Sequence, residues 1–192
     1  MGTTYKGLYL PSTSETAWTA SINANFTTIA DGLKADIFLP AATGINQAGS
    51  PASTISTFPN QISYHSLVNA ATNGATWVMS LPLDCSAGVV ARPVWFPSAT
   101  DASAHAVRWS FDLRRLDAVD IGGGPSDTVA WTGGATARVV NKGVIDEVAG
   151  TSTALTLVAG SVLRVSISRI GADALDTYVG NVQLLGLTIG YA

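Results

Sequence analysis

Two histidines, His65 and His105, are the imidazoles available to this chain as bases or metal ligands, and they fall in separate segments with no Asp or Glu at a useful spacing. Each reads as a satisfied or surface histidine, not a ligand. Cys85 is the single cysteine; it follows Asp84 in a turn, away from any helix N-terminus and without an adjacent cation to stabilise its thiolate. "IGGGPSD", Ile121 to Asp127, has the glycines of a phosphate loop but no following Lys and no helix to aim amides at an anion, so it reads as a strand connection. Asp112, Asp117, Asp120, Asp146 and Glu147 could in principle supply the carboxylate pair of a glycoside hydrolase, but nothing in their spacing brings two of them together. In "DLRRLDAVD", Asp112, Arg114, Arg115, Asp117 and Asp120 read as mutually neutralising ion pairs, with an intersubunit salt bridge as the sharper alternative. The residues thus point to no catalytic centre, no metal site and no cofactor.

Binding is the remaining chemistry. Trp77, Trp95, Trp109 and Trp131 recur through the chain, and an exposed indole can stack on a sugar or pack a partner. Their place in apolar or alternating runs assigns them to a core or an interface instead. The ten Lys and Arg are scattered and the net charge is −3, which argues against nucleic acid as a partner. No apolar run approaches the length of a membrane helix, so no membrane insertion is expected, and no Sec-type export signal is read at the start.

The elements that would position a binding surface fall into two kinds. Ser12 and Glu15 have capping-box spacing, and Trp18, Ile22, Phe26, Ile29 and Leu33 then recur on one stripe of an α-helix covering about Thr13 to Leu33 or Lys34. About three heptads is marginal for an isolated helix, so the stripe needs a partner: its own chain, sister chains or a larger assembly. Residues 1–40 are read as this attachment or trimerisation segment, and 41–59, small and rich in turn formers, as a linker or the opening edge of the next domain.

From residue 60 to 192 the period changes to two, most clearly in "HAVRWSFDL", where Val107, Trp109, Phe111 and Leu113 alternate with polar or small residues. Further strands are expected at Gln61–Val68, Ala75–Leu81, Val89–Phe96, Thr128–Trp131, Thr136–Asn141, Ala154–Val158, Val162–Ile170 and Asn181–Ile189. Strands joined by turns instead of helices predict an antiparallel β-sandwich of jelly-roll type preceded by one amphipathic helix. Charged residues are only 12% of the composition, about half the usual share, which suggests a surface partly covered by partners.

The stretch "LPSTSETAWTASINANFTTIADGL" resembles a segment of tailed-bacteriophage fibre proteins in which a Pro, a Trp and an "INANF"-type helix precede the distal domain. The C-terminal half is similar to the small jelly-roll domain of many phage virion proteins, through "WVMSLP", "VRW" and "LRVSISRIGADALDTYVGNVQLLGLTIGYA". Within the latter, Arg169, Asp173, Asp176, Leu184, Leu185, Gly186 and Leu187 match the pattern.

This resemblance implies a homotrimeric, non-enzymatic virion surface protein, made in the host cytoplasm, whose partners are its sister chains, other tail or capsid proteins and a host-surface glycan. A short tail fibre or receptor-binding tip is the preferred reading, with a capsid decoration protein and a monomeric carbohydrate-binding module as alternatives. The trimerising residues would be Trp18, Ile22, Phe26, Ile29 and Leu33. Contact loops would include Ile121, Gly122, Gly123, Gly124, Asp173 and Asp176.

Overall fold

The computed structural model describes residues 3–5, 8–10, 36–46, 54–58, 62–83, 85, 88–116, 126–135, 137–139, 144–145, 150–152, 155, 157 and 159–191. The expected helix, with Trp18, Ile22, Phe26, Ile29 and Leu33, and the loop positions Ile121, Gly122, Gly123 and Gly124 lie outside the described residues. The chain forms two compact units, Met1–Ala35 and Asp36–Ala192. In the first, β1 (Thr3–Tyr5) pairs antiparallel with β2 (Leu8–Leu10).

Among the described residues the second unit has twelve strands: β3 (Ile37–Pro40), β4 (Ile45–Asn46), β5 (Thr54–Phe58), β6 (Ile62–Leu67), β7 (Thr72–Ser80), β8 (Val89–Pro97), β9 (Arg108–Arg115), β10 (Ser126–Thr132), β11 (Val144–Ile145), β12 (Gly150–Ser152), β13 (Val162–Ile170) and β14 (Val182–Tyr191). They form a five-stranded sheet in the order β10-β9-β13-β7-β4 and a seven-stranded sheet in the order β11-β8-β14-β6-β5, with β12 on β8 and β3 on β14. Every pairing is antiparallel. From β6 onward the strands are distributed between the two sheets in the order of a jelly roll, with β9 and β10 paired within the smaller sheet and β11 and β12 both on β8, which matches the expected architecture.

The alternation of side chains explains why two sheets pack. Trp109, Phe111 and Leu113 of β9, Leu163, Val165 and Ile167 of β13, Trp95 of β8 and Leu184, Leu187 and Ile189 of β14 all point into one shared core. Each large side chain buried there contributes on the order of 1.5–3 kcal/mol. Trp77, Trp95, Trp109 and Trp131 are all buried, as their alternating runs predict, and Trp95 meets Trp109 edge-on at 6.2 Å. Cys85 belongs to the same core.

Several local expectations differ from the structure. The segment 41–59, expected as a linker or the opening edge of the next domain, takes the second role in its described residues: a 3-10 turn at Ala41–Thr43 and strands β4 and β5, which pair at the ends of the two sheets. Of the strand expected at Thr136–Asn141, the described part forms an isolated bridge between Arg138 and Asp101. Near the expected Ala154–Val158 strand, the described pairing is β12 at Gly150–Ser152.

One end of the sandwich is tied by buried charge. Arg169, at the end of β13, donates from Nε to Asp176 Oδ2 (2.8 Å) and from Nη2 to Asp176 Oδ1 (2.7 Å), with further bonds to the carbonyls of Gly180 and Tyr178. Both side chains are 0% exposed. The Tyr178 ring packs under the guanidinium carbon at 5.5 Å and leans on Trp95. These contacts fasten the 171–181 loop to the core.

Candidate functional site

The strand that organises the larger sheet is β14, whose sequence "VQLLGLTIGY" carries Gly186 and Gly190 four residues apart. Residues at i and i+4 of a strand share a face. After an irregularity between Leu184 and Gly186, Leu187 and Ile189 enter the core while Gly186, Thr188 and Gly190 line the outer face. The floor there is therefore bare backbone on either side of one threonine.

Strand β3 lays an aromatic ring on this floor. Ile37 and Leu39 pack against the core, so Phe38 between them must point outward, and it is 51% exposed. Phe38 is opposite Thr188, which on its other side is opposite Arg92 of β8. The row Phe38, Thr188, Arg92 thus crosses three strands, about 10 Å at the usual interstrand spacing. A Cβ added at Gly186 would come within 2.6 Å of the Phe38 ring, so the glycine is what lets the ring lie low over the sheet. Beside Gly190, Asp36 Oδ1 and Arg92 Nη1 lie 3.0 and 3.6 Å from the place its Cβ would take. Farther along β14 the row Ser66, Gln183, Phe96 shares this face, with Tyr64 edge-on to Phe96 at 5.2 Å. Gln183 is 8% exposed, and its Oε1 accepts no hydrogen bond from the described residues.

This surface combines a flat apolar ring, a forked donor, a carboxylate acceptor and a hydroxyl within a few strand widths. The arrangement can stack on the apolar face of a ring-shaped ligand and hydrogen-bond the polar groups at its rim. Among the described residues the carboxylate it holds is that of Asp36. Among the described residues no group of three or more His, Cys, Asp or Glu could hold a metal ion.

The residues singled out from sequence lie elsewhere. His65 is buried on β6 and shares a 3.1 Å hydrogen bond with the Ala41 carbonyl; burial lowers its pKa from the usual 6.5, against smaller opposing contributions from the Ala41 and Gly44 backbone. It serves the fold as a neutral imidazole. His105 corrects the expectation that no carboxylate stands near a histidine: its Nδ1 is 2.7 Å from Asp101 Oδ1, because the 101–105 loop doubles back. The Asp101 carboxylate also accepts the amides of Ser103 and His105, which supports Ala104 in the left-handed region at φ 58°. Burial pushes the Asp101 pKa up, but the hydrogen bonds from His105 and Ser103 outweigh it and hold the carboxyl below its usual 3.8. Arg138, buried, reaches Asp101 Oδ2 at 3.5 Å and stacks over Trp95 at 4.9 Å.

Of the expected loop contacts, Asp173 is partly exposed, 3.6 Å from Arg108 Nε, and accepts the Leu175 amide at 2.8 Å. Asp176 departs from that expectation, since its carboxylate is turned inward onto Arg169 and is closed to an external ligand. The Phe38 surface was missed from sequence because "DIFLP" was assigned to the attachment segment; the alternation Ile37, Phe38, Leu39 ahead of Pro40 was the available signal.

No family model matches the chain, and no curated protein does either. Among solved structures it is similar to a xylan-binding module CBM15 at 18% identity, covering 83% of this chain and 97% of that one, with a TM-score of 0.48. A family 35 carbohydrate binding module from Clostridium thermocellum is similar at 11% identity over 82% of this chain and 99% of that one, with a TM-score of 0.48. The enzymatically active domain of tailspike protein 4 from bacteriophage CBA120 is similar at 11% identity, TM-score 0.41, over 78% of this chain but only 19% of that one.

Proposed function

We propose that this chain is a non-catalytic glycan-binding jelly roll displayed on a phage virion, as part of a homotrimeric tail fibre or receptor-binding tip. The observation that carries the binding reading is the Phe38 surface, where a half-exposed ring lies over the Gly186 floor between Thr188, Arg92 and Asp36. A saccharide would stack on Phe38, accept hydrogen bonds from Arg92 and donate its hydroxyls to the Asp36 carboxylate. Affinity at one such open surface is modest, and three copies per tip on several tips would raise it by avidity. The virion placement rests on the resemblance of the N-terminal stretch and of the Leu163–Ala192 strand pair to phage virion proteins.

The test is a glycan array followed by calorimetry of Phe38→Ala against the parent. Losing the stacked ring should cost about 1.5–3 kcal/mol, on the order of a ten- to hundredfold weaker Kd. Unchanged binding by Phe38→Ala would remove this surface from the site. Immunogold labelling of particles checks location: signal at the tail tip supports the fibre, and signal over the head shell replaces it with capsid decoration.

A further inference from the structure

A glycine inside a strand weakens it, so each one calls for a reason, either in packing or in the close approach of another molecule. Most strand glycines of this domain have the first reason. A Cβ at Gly74 would strike the Ile167 carbonyl, one at Gly150 the Trp131 ring, and one at Gly186 the Leu39 carbonyl and the Phe38 ring. Gly190 differs. The nearest atoms to its absent Cβ are Asp36 Oδ1 at 3.0 Å and Arg92 Nη1 at 3.6 Å, both at the ends of flexible side chains, with no backbone atom or ring among them. Its φ is not positive, so the backbone conformation would accept a side chain. Packing therefore leaves Gly190 without a reason.

The notch over Gly190 lies in the row next to Phe38. Ile189 is opposite Ile37, which sets Gly190 beside Asp36, and on its other side Gly190 is opposite Val90, itself opposite Thr151 of β12. Thr188, opposite Phe38, is two residues along β14, about 7 Å at a strand's rise and close to the breadth of one sugar ring. A ring stacked on Phe38 thus has its rim over the notch. Asp36 and Thr151 are exposed, and Arg92 and Val90 are half-buried, so the notch faces solvent. Its two walls carry one negative and one positive group, an acceptor facing a donor.

We infer, on the glycan-binding reading of this surface, that Gly190 sets its specificity: the bare backbone admits one hydroxyl of a neutral sugar, which donates to Asp36 Oδ1 while its oxygen accepts from Arg92 Nη1. A hydroxyl can serve both partners at once. The carboxylate of an acidic sugar has no proton to give and meets Asp36 as a like charge. Asp36 thus attracts the neutral sugar and repels the acidic one, and discrimination uses both effects.

The experiment titrates the full chain, at low salt, with cellotetraose, xylotetraose, mannotetraose, galactotetraose and tetragalacturonate. At least one neutral tetraose should bind, about tenfold tighter than the acid. Gly190→Ala, whose methyl takes the place of the hydroxyl, should weaken that tetraose about tenfold at an unchanged Tm, because only flexible side-chain ends have to give way. Asp36→Asn, which removes the repulsion, should erase the preference for the neutral sugar over the acid. Full binding by Gly190→Ala, a markedly lowered Tm in that variant, or an unchanged preference in Asp36→Asn overturns the inference. So does a parent chain that binds none of the four neutral tetraoses or prefers tetragalacturonate. Phe38→Ala separates this inference from the reading beneath it: a weakened Phe38→Ala beside an unaffected Gly190→Ala sinks the role of Gly190 alone, whereas an unaffected Phe38→Ala removes the whole surface.

Discussion

Removing the Asp176 carboxylate tests the account of the buried clamp most directly. In Asp176→Ala three donors lose their acceptor: Arg169 Nε at 2.8 Å, Arg169 Nη2 at 2.7 Å and the Arg108 amide at 3.1 Å. The guanidinium, 0% exposed, keeps the Gly180 and Tyr178 carbonyls but has no counter-charge. Breaking a buried pair this way costs about 3–5 kcal/mol. For a domain of this size that is a fall in Tm of roughly 6–20 °C. The assay is urea unfolding followed by tryptophan fluorescence, since Trp77, Trp95, Trp109 and Trp131 are all buried in the folded state. The double variant Arg169→Met with Asp176→Leu removes both charges and should recover part of the loss, because the penalty comes from the stranded charge. A loss under about 1 kcal/mol in Asp176→Ala, within the range of a surface pair, would refute the reasoning. So would a double variant no more stable than the single one.

Two further outcomes follow from other parts of the fold. Stability should hold from neutral pH down to about 6.5 and then fall, because His65 takes up a proton more readily unfolded than buried; a second loss should begin as pH drops below 3.8, where the Asp101 carboxylate is protonated more readily unfolded than folded. Urea midpoints across pH check this, with His65→Gln flattening the upper limb and Asp101→Asn the lower. Gly186→Ala should destabilise the larger sheet by about 1–3 kcal/mol and lift Phe38, since the added methyl meets both the Leu39 carbonyl and the ring; thermal unfolding and glycan affinity should fall together.

Periodicity made the strands legible wherever one face is buried. β13 was read from Val162 to Ile170, its observed bounds, because Leu163, Val165 and Ile167 alternate with polar residues. It failed at edges: β4 and β12 are short and pair with strands far away in sequence, while β5 is short and pairs with β6 directly after it. The clamp shows a different limit. Arg169 and Asp176 were noticed as matching positions, but a seven-residue spacing across a turn says nothing about a salt bridge; only the fold of the 171–181 loop closes it. Asp101 and His105 were missed likewise, since a loop, not a helix, brings them together. The charges of the smaller sheet were half-read: Asp112 was seen as an ion-pairing residue, while its partner Arg164 comes from a strand about fifty residues later.

The position of β14 also orders events during synthesis. It is the last strand of the sandwich to be made, yet it lies between β8 on one side and β6 with β3 on the other. Until it emerges from the ribosome, those strands have unpaired inner edges and an open core, and translation at about 5–20 residues per second leaves them so for seconds. Cells making this protein in quantity should therefore hold nascent chains with exposed strand edges, and late-arresting truncations that lack β14 should aggregate, whatever the stability of the finished domain.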